Sequence, residues 1–201
     1  MNKDFFGHKA AVYESDDNRV SNVDSIANTI VKNIKLDRAM HLMDFGSGTG
    51  LLLERIAPYV NKITAVDISA AMNEQLAKKR ARIACDVEIM PVDLSVTVIS
   101  GKFDGIISSM TMHHVHDINA MFIKFYALLN NGGFIAISDL DTEDGSFHTE
   151  DTGVYHMGFD RQAITLAAQQ AGFVDVNTED ASVVYKPHGQ YPVFLLTAKK
   201  K

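Results

Sequence analysis

The 201-residue sequence lacks several features that would each indicate a particular class of protein. Its only cysteine is Cys85, so the chain can form neither an internal disulfide nor a cysteine-based zinc site. This composition fits a reducing compartment, and we expect a cytoplasmic protein. No run of about 18 apolar residues occurs, and the first residues contain no apolar stretch of signal-peptide length. The sequence therefore predicts no membrane-spanning segment and no membrane partner.

A strongly basic surface is also missing. The net charge is −6, and basic residues are dense only in short runs such as the tail Lys199-Lys200-Lys201. This balance argues against nucleic acid as a partner, because phosphate neutralisation requires clustered lysine and arginine. Only four prolines occur, and neither a repeat nor a linker marks a boundary. We expect one domain over residues 1–201, as a monomer or a homodimer.

Short β-rich segments alternate with helical patterns along most of the chain, which is typical of βαβ units in a parallel sheet. The last two β-rich segments follow each other through a short loop, so they must run antiparallel. Residues 1–35 are predicted to be a covering segment with a helix over Ser21–Ile34. The predicted strands and helices are Leu42–Phe45, Thr49–Val60, Lys62–Val66, Ser69–Ala84, Asp86–Met90, Phe103–Ser108, Asp117–Leu129, Phe134–Ser138, Asp160–Ala171, Val174–Lys186 and Tyr191–Lys199.

Two helices carry clear terminal signals. Asp117 and Asp160 stand where an N-cap side chain would accept hydrogen bonds from the first turn. Phe159 and Ile164 are spaced as a hydrophobic staple around the second cap. The glycines in Asn131-Gly132-Gly133 are predicted to end the helix that starts at Asp117.

A glycine-rich turn follows the first predicted strand. Gly46 and Gly48 flank Ser47, and glycines at these positions let the backbone turn sharply and approach a ligand. Leu51 stands where a dinucleotide fingerprint needs a third small residue, and no Gly-Lys-Ser/Thr sequence follows as in a phosphate-binding loop. Asp44 would repel a pyrophosphate but attract an ammonium group. The turn is predicted to bind the amino-acid part of a cofactor.

Two further strand ends carry an aspartate. Asp67 comes about twenty residues after the first glycine, where a carboxylate accepts hydrogen bonds from ribose hydroxyls. The alternative for Asp67 is a local cap on the next helix. Asp93 could accept from an adenine amino group while the Leu94 N–H donates to a ring nitrogen. The alternative for Asp93 is an ordinary strand-end turn.

In order and spacing, these motifs resemble the class I S-adenosylmethionine-dependent methyltransferases, especially the small-molecule branch. The resemblance covers about residues 44–173 and implies a Rossmann-like α/β fold with S-adenosylmethionine as cofactor. It also implies a seven-stranded sheet of order 3-2-1-4-5-7-6, with strand 7 antiparallel and helices on both faces. The matching segments are Asp44–Gly50, Val66–Ser69, Asp93-Leu94, Phe103–Met110 with His113–Asp117, Leu128–Gly133 and Ala171-Gly172-Phe173.

The resemblance assigns contacts to individual residues. Asp44 and Gly46 would face the methionine part of the cofactor, and Ser108 would reach the methionine end through its backbone. Asp67 would bind the ribose, while Ile68, Asp93 and Leu94 would surround the adenine. The N-terminal segment resembles the cap of this family, which makes Tyr13 a candidate contact, although Gly7 and Glu14 replace two aspartates common in that cap.

The acceptor side is less defined. His113 and His114 follow the fourth strand, and His148 follows the fifth, so their loops should border the acceptor pocket. Histidine suits a general base near neutral pH, and the three residues are predicted to be catalytic. The alternative is that His113 and His114 only shape their loop through hydrogen bonds to the backbone.

The segment 138–148 contains four acids and a histidine, and it is predicted to set specificity. These acids could bind a cationic acceptor or, with His156, a divalent metal ion. We expect solvated carboxylates and no metal. The predicted function is methyl transfer from S-adenosylmethionine to O, N or C of a small-molecule acceptor. The alternatives are a non-catalytic domain that binds a nucleotide metabolite, and a macromolecular methyltransferase.

Overall fold

A computed structural model describes residues 4–201; residues 1–3, the start of the predicted covering segment, lie outside the described residues. Alternating strands and helices make up the chain, as the sequence predicts. The strands are β1 His41–Phe45, β2 Lys62–Val66, β3 Asp86–Met90, β4 Phe103–Ser109, β5 Leu129–Leu140, β6 Val174–Lys186 and β7 Gly189–Lys199. The α-helices are α1 Asp17–Asn33, α2 Leu51–Ile56, α3 Ala70–Lys79, α4 Ile118–Leu128 and α5 Arg161–Gln170.

The seven strands form one sheet of order β3-β2-β1-β4-β5-β7-β6. Strands β1 to β5 pair in parallel, and β7 pairs antiparallel with both β5 and β6. The predicted order and the antiparallel strand are confirmed. The five parallel strands direct their carboxyl ends to one edge, which is where ligands bind in open α/β sheets.

The sheet separates two hydrophobic cores because successive side chains of a strand point to opposite faces. Leu42 belongs to the core under α1 and α2, whereas the adjacent Met43 belongs to the core under α4 and α5. The same alternation occurs in β5, where Ile135 and Ala136 lie in different cores. Helices therefore cover both faces, as predicted.

The two predicted N-caps are present. The side chain of Asp117 accepts from the Ala120 N–H at 2.9 Å, and that of Asp160 accepts from the Ala163 N–H at 2.8 Å. The predicted glycine stop of α4 is wrong. The helix ends at Leu128, and the glycines lie in β5, where Gly132 N–H donates to the Lys200 carbonyl. The Lys200 ammonium replaces the glycine cap by donating to two carbonyls at the helix end, those of Tyr126 and Leu129.

The N-terminal segment packs across the carboxyl edge of the sheet. It contains a short 3-10 helix, Ala10–Ser15, and then α1, which begins at Asp17 because Asp16 caps it, four residues before the predicted start. The Ser69 hydroxyl donates to Asp4 at 2.9 Å, and the Phe6 ring contacts His114 edge-on at 5.4 Å. None of the helices within residues 4–201 is long and apolar enough to cross a bilayer.

Candidate functional site

A cavity of about 1090 Å³ opens at the carboxyl edge of the sheet, which is at the upper end of the size typical of small-molecule sites. Residues after each of the five parallel strands line it. Nine buried side-chain polar atoms within residues 4–201 have no hydrogen-bond partner, and six of them belong to residues that line this cavity. Unpartnered buried groups are costly, so their concentration here indicates a ligand site. The six residues are Asn22, Asp44, Ser47, Thr49, Ser109 and His148.

The glycine turn forms the floor of the cavity. Gly46 N–H donates to the Val66 carbonyl at 2.8 Å, which ties the turn to the end of β2. Gly46 and Gly48 have φ of +71° and +53°, in the left-handed region that favours glycine. A Cβ on Gly46 would lie 2.2 Å from Thr111, whereas a Cβ on Gly48 would have no atom within 4 Å. Gly46 is thus required by packing, and Gly48 presents open backbone to the cavity.

Asp44 lies at the end of β1 and is 1% exposed. Its Oδ2 atom has no partner within the described chain, although the residue lines the cavity. Burial, reinforced by the nearby Asp67, raises the pKa of Asp44 to about 8. A cationic group in the cavity would reverse this effect by stabilising the carboxylate, so Asp44 is placed to receive an ammonium group.

Asp67 points into the turn. Its Oδ2 accepts from the Gly48 N–H at 2.7 Å, and its Oδ1 accepts from the Ser69 N–H at 2.7 Å. The second contact is a turn before α3 and not a cap, because Ser69 caps this helix by accepting from the Met72 N–H at 3.3 Å. The alternative of a cap by Asp67 is therefore wrong, and Asp67 lines the cavity. Burial raises the pKa of Asp67, while these two backbone donors oppose that rise. Each carboxylate oxygen has a second lone pair, so both can still accept a ligand hydroxyl.

Ile68, Asp93 and Leu94 lie together on the next part of the cavity wall. The Ile68 side chain is 59% exposed, which is unusual for an isoleucine and leaves an apolar face for a flat ligand. Asp93 makes the strand-end turn, because its Oδ1 accepts from the Ser95 N–H at 2.9 Å. The predicted adenine contacts stay predictions.

Of the two remaining predicted cofactor contacts, Tyr13 lines the cavity and Ser108 does not. Ser108 is fully buried, and its hydroxyl donates to the Phe45 carbonyl at 2.7 Å, so Ser109 and Met110 line the cavity in its place. Met110 has a φ of +56°, a rare backbone conformation for a residue with a side chain. Tyr13 lines the opposite wall, and burial raises the pKa of its phenol.

The three predicted catalytic histidines lie together at the far end of the cavity. The His113 ring centroid is 4.2 Å from that of His114 and 5.1 Å from that of His148. Burial lowers the pKa of His114 and of His148 to about 4 in each case, so both rings are neutral near pH 7. His148 Nε2 is one of the unpartnered buried atoms.

His113 forms a buried pair with Asp139, which sequence reasoning placed on the loop but did not assign to the site. His113 Nδ1 lies 2.7 Å from Asp139 Oδ1, and the His113 N–H donates to Oδ2 at 3.1 Å. A carboxylate accepts hydrogen bonds, so it fixes the proton on Nδ1 and leaves Nε2 as the basic nitrogen. Strands β4 and β5 are parallel neighbours, which brings the segment after β4 close to Asp139 near the end of β5.

The other acids after β5 are bound within the protein. Asp141 forms a two-point ion pair with Arg161, with N–O distances of 2.6 and 2.7 Å. Glu143 accepts from the backbone N–H groups of Gly145 and Phe147. Among residues 4–201 no three histidine, cysteine or acidic side chains are placed to hold a metal ion. The loop therefore has a structural use for most of its acids, and it offers no carboxylate cluster to a cationic acceptor.

The sheet order with an antiparallel seventh strand, and the glycine turn with acidic residues after β1 and β2, define the architecture of the class I methyltransferases. A family model described as a methyltransferase domain matches residues 21–178. The chain belongs to this methyltransferase family, and the resemblance inferred from its motifs is confirmed.

Individual relatives agree with this assignment. The chain is 29% identical to an uncharacterized methyltransferase of Schizosaccharomyces pombe over 174 residues, covering 78% of this chain and 61% of that protein. It is 25% identical over 174 residues to cobalt-precorrin-6B C(15)-methyltransferase of Salmonella typhi, covering 85% of this chain and 84% of that protein.

A solved structure shares the fold. Magnesium protoporphyrin IX methyltransferase of Synechocystis with bound S-adenosylmethionine superposes with a TM-score of 0.67 at 18% identity, covering 92% of this chain and 80% of that one. The chain spans about half to three fifths of the length of the first of the curated relatives.

Proposed function

We propose that this methyltransferase transfers a methyl group from S-adenosylmethionine to O, N or C of a small-molecule acceptor. The observation that carries the proposal is the unpartnered Asp44 carboxyl group beside the open backbone of Gly48. A buried acid without a partner suits a ligand with an ammonium group, and a turn without a Cβ suits a ligand that lies close to the backbone. The methionine part of this cofactor has both properties.

The remaining contacts follow from the geometry of the cavity. Asp67 would accept hydrogen bonds from the two ribose hydroxyls through the second lone pairs of its oxygens. Ile68, Asp93 and Leu94 would surround the adenine, and Tyr13 would close the site from the N-terminal segment. When bound, the cofactor supplies a methyl group on a positively charged sulfur, which is already activated for substitution.

The protein then has to position the acceptor and remove its proton. Holding two reactants in line can contribute about 7–11 kcal/mol in favourable systems. His113 is the best-placed base because Asp139 orients its ring and directs Nε2 away from the pair. The neutral His114 and His148 are weaker bases, since burial lowers their pKa values to about 4. They suit the role of shaping the wall around an acceptor.

Small-molecule acceptors are supported by relatives whose names specify one. The Salmonella relative is named for methylation of a cobalt-precorrin, and a plant relative from Arabidopsis thaliana, 27% identical over 159 residues, is named phosphoethanolamine N-methyltransferase 1. The cavity has room for a cofactor and an acceptor together, at about 1090 Å³. The net charge of −6 does not favour a nucleic-acid acceptor.

Thermal melting with S-adenosylhomocysteine and, separately, with NAD tests the cofactor. A ligand at about 100 times its dissociation constant should stabilise the fold by about 2.7 kcal/mol. We expect this shift with S-adenosylhomocysteine, its loss in Asp67→Ala, and its retention in Glu74→Ala, which removes an exposed acid of α3 outside the cavity lining. A shift with NAD alone would reject the proposal. Binding without turnover on a broad acceptor panel would favour the non-catalytic alternative.

A further inference from the structure

The inference concerns the chemical class of the acceptor and rests on the proposed function. Two cationic side chains, Arg19 of α1 and Lys186 at the end of β6, line the same cavity as the histidines. They come from segments far apart in the sequence, which the packing of α1 against β6 brings together. Neither residue carries a local signal in the sequence.

Lys186 is a half-buried cation without an anionic partner. Its ammonium group lies 3.7 Å from the centroid of the Phe147 ring and donates to the Phe147 carbonyl. No carboxylate within residues 4–201 comes within ion-pair distance of it. Phe147 is adjacent to His148, whose ring lies 4.8 Å away, so the Lys186 charge is located beside the histidine cluster. Burial and the nearby charge of Arg19 lower the pKa of Lys186.

Arg19 is held in place from both sides. Its guanidinium lies 4.1 Å above the centroid of the Tyr13 ring, and Nη1 donates to the Tyr13 carbonyl at 2.6 Å. Asp16 approaches Nη2 at 3.3 Å, but this carboxylate also caps α1 by accepting from the Asn18 and Arg19 N–H groups. The contact balances the charge of Arg19 only in part. A guanidinium has five N–H donors, so several remain for a ligand.

The other lysines of the lining are held by an ion pair or by several carbonyls. Lys9 forms an ion pair with Glu150. Lys124 donates to three carbonyls of the loop after β3, those of Leu94, Ser95 and Thr97. Lys186 differs from Lys9, because no carboxylate within residues 4–201 forms an ion pair with it, and from Lys124, because it donates to a single carbonyl. Asp16 and Glu143 lie near enough to act against the lowering of its pKa, but neither is a direct partner. An anionic ligand group between Lys186 and Arg19 would balance the positive charge of Lys186 and reduce the repulsion between the two cations.

We propose that the acceptor carries an anionic group, a carboxylate or a phosphate, which Arg19 and Lys186 bind on the hairpin side of the cavity. The ammonium of Lys186 serves as a point charge, and the fork of Arg19 supplies directional donors. This placement leaves the nucleophilic end of the acceptor toward His113 and the methionine end of the cofactor site.

Titration of small anions into the protein saturated with S-adenosylhomocysteine tests the proposal. The probes are acetate, benzoate and inorganic phosphate, with acetamide and benzamide as neutral counterparts, and calorimetry measures each dissociation constant. We expect at least one anion to bind about tenfold or more tightly than the amides, the factor that corresponds to one charge-assisted hydrogen bond. Lys186→Met should remove that preference and leave the affinity for S-adenosylhomocysteine unchanged.

Lys78→Met is the matched control. It makes the same change of charge at an exposed lysine of α3 that pairs with Glu74 and does not line this cavity. Equal binding of carboxylates and amides, no anion binding at millimolar concentration, or unchanged anion affinity in Lys186→Met would each overturn the proposal. The comparison of anions with amides uses the unaltered chain, so it tests the proposal even if Lys186→Met does not fold. If S-adenosylhomocysteine does not bind, the proposed function fails, and the same titrations without it still test the anion site.

Discussion

The two ends of the cavity are built in different ways. The end around Gly48 and Asp67 consists of strand–turn–helix units, and hydrogen bonds donated by backbone N–H groups hold its shape. The end around His113 consists of side chains from segments that are far apart in the chain. Asp139 is 26 residues from His113, and Phe6, which contacts His114, comes from the N-terminal segment.

This difference determines how sensitive the shape of each end is to amino-acid substitution. A backbone-built turn keeps its shape when most side chains change, so it suits a cofactor that stays the same across many enzymes. A side-chain-built pocket alters with each substitution in any of its loops, so it suits an acceptor that differs between enzymes. Substitutions at one end should therefore alter the function of that end, cofactor binding or turnover, and leave the other nearly unchanged.

The largest expected effect concerns the acceptor end. His113→Ala should lower kcat by about 10²–10⁴-fold, the usual contribution of a positioned base. The dissociation constant of S-adenosylhomocysteine should change little, because His113 belongs to the other end of the cavity. Single-turnover kinetics and calorimetry measure the two quantities, and His188→Ala serves as a control at an exposed histidine of the hairpin. An unchanged kcat would remove His113 from the mechanism.

At the cofactor end, Asp44→Asn should weaken S-adenosylhomocysteine binding by about 10–100-fold at pH 8, the loss expected for a hydrogen bond to a charged group. The stability of the unliganded protein at pH 7 should hardly change, because the Asp44 carboxyl is already largely neutral there, with a pKa of about 8. Calorimetry and thermal melting measure the two effects. Equal affinity in both proteins would show that the ammonium group binds elsewhere.

A rise in pH should lower the contribution of Asp44 to the stability of the fold and raise the contributions of His114 and His148. The folded pKa of Asp44 is raised from 3.8 to about 8, so its contribution to stability is present at low pH and is lost as the pH rises through that interval. The folded pKa values of His114 and His148 are lowered from 6.5 to about 4, so their contribution is lost as the pH falls below 6.5. Hydrogen exchange at pH 5 and pH 8 should show the loop 147–155 more protected at pH 8. The same protection at both pH values would contradict the buried, neutral state of the two rings.

The smallest expected effect separates folding from binding within the glycine turn. Gly48→Ala should destabilise the protein by about 1–2 kcal/mol because of its positive φ, and it should weaken cofactor binding because the new methyl group enters the cavity. Gly46→Ala adds a clash with Thr111 to the same backbone strain, so it should destabilise the protein more. Urea titration with and without S-adenosylhomocysteine separates these terms. A larger loss of stability in Gly48→Ala would reverse the assignment.

The sequence indicates for a physical reason that Asp44, Gly48 and Asp67 lie at one edge of the sheet, and their contacts with a cofactor stay predictions. Strand β1, the glycine turn and Asp67 interact through contacts that spacing and charge can indicate, whereas the alternative of a helix cap by Asp67 is not observed, because Ser69 caps α3. The order of the strands follows from the resemblance, and Asp117 and Asp160 could be assigned from their spacing alone.

The acceptor end is predicted less completely. The three histidines were identified from their positions after strands, but the pairing of His113 with Asp139 depends on the registration of two neighbouring strands. Arg19 and Lys186 could not be found, because a lysine at the end of an edge strand and an arginine on a helix carry no local signal. The predicted end of α4, Leu129, lies one residue past the observed end at Leu128, but its stop was assigned to the wrong residues. Lys200, 71 residues beyond Leu129, donates to the carbonyls there in place of a glycine cap.

A crystal structure of the protein with S-adenosylhomocysteine tests the central claim most directly. The account predicts both ribose hydroxyls within hydrogen-bond distance of the Asp67 carboxylate, the ammonium group at Asp44, and the sulfur facing the space in front of His113. A ligand bound outside this cavity, or a ribose turned away from Asp67, would contradict it.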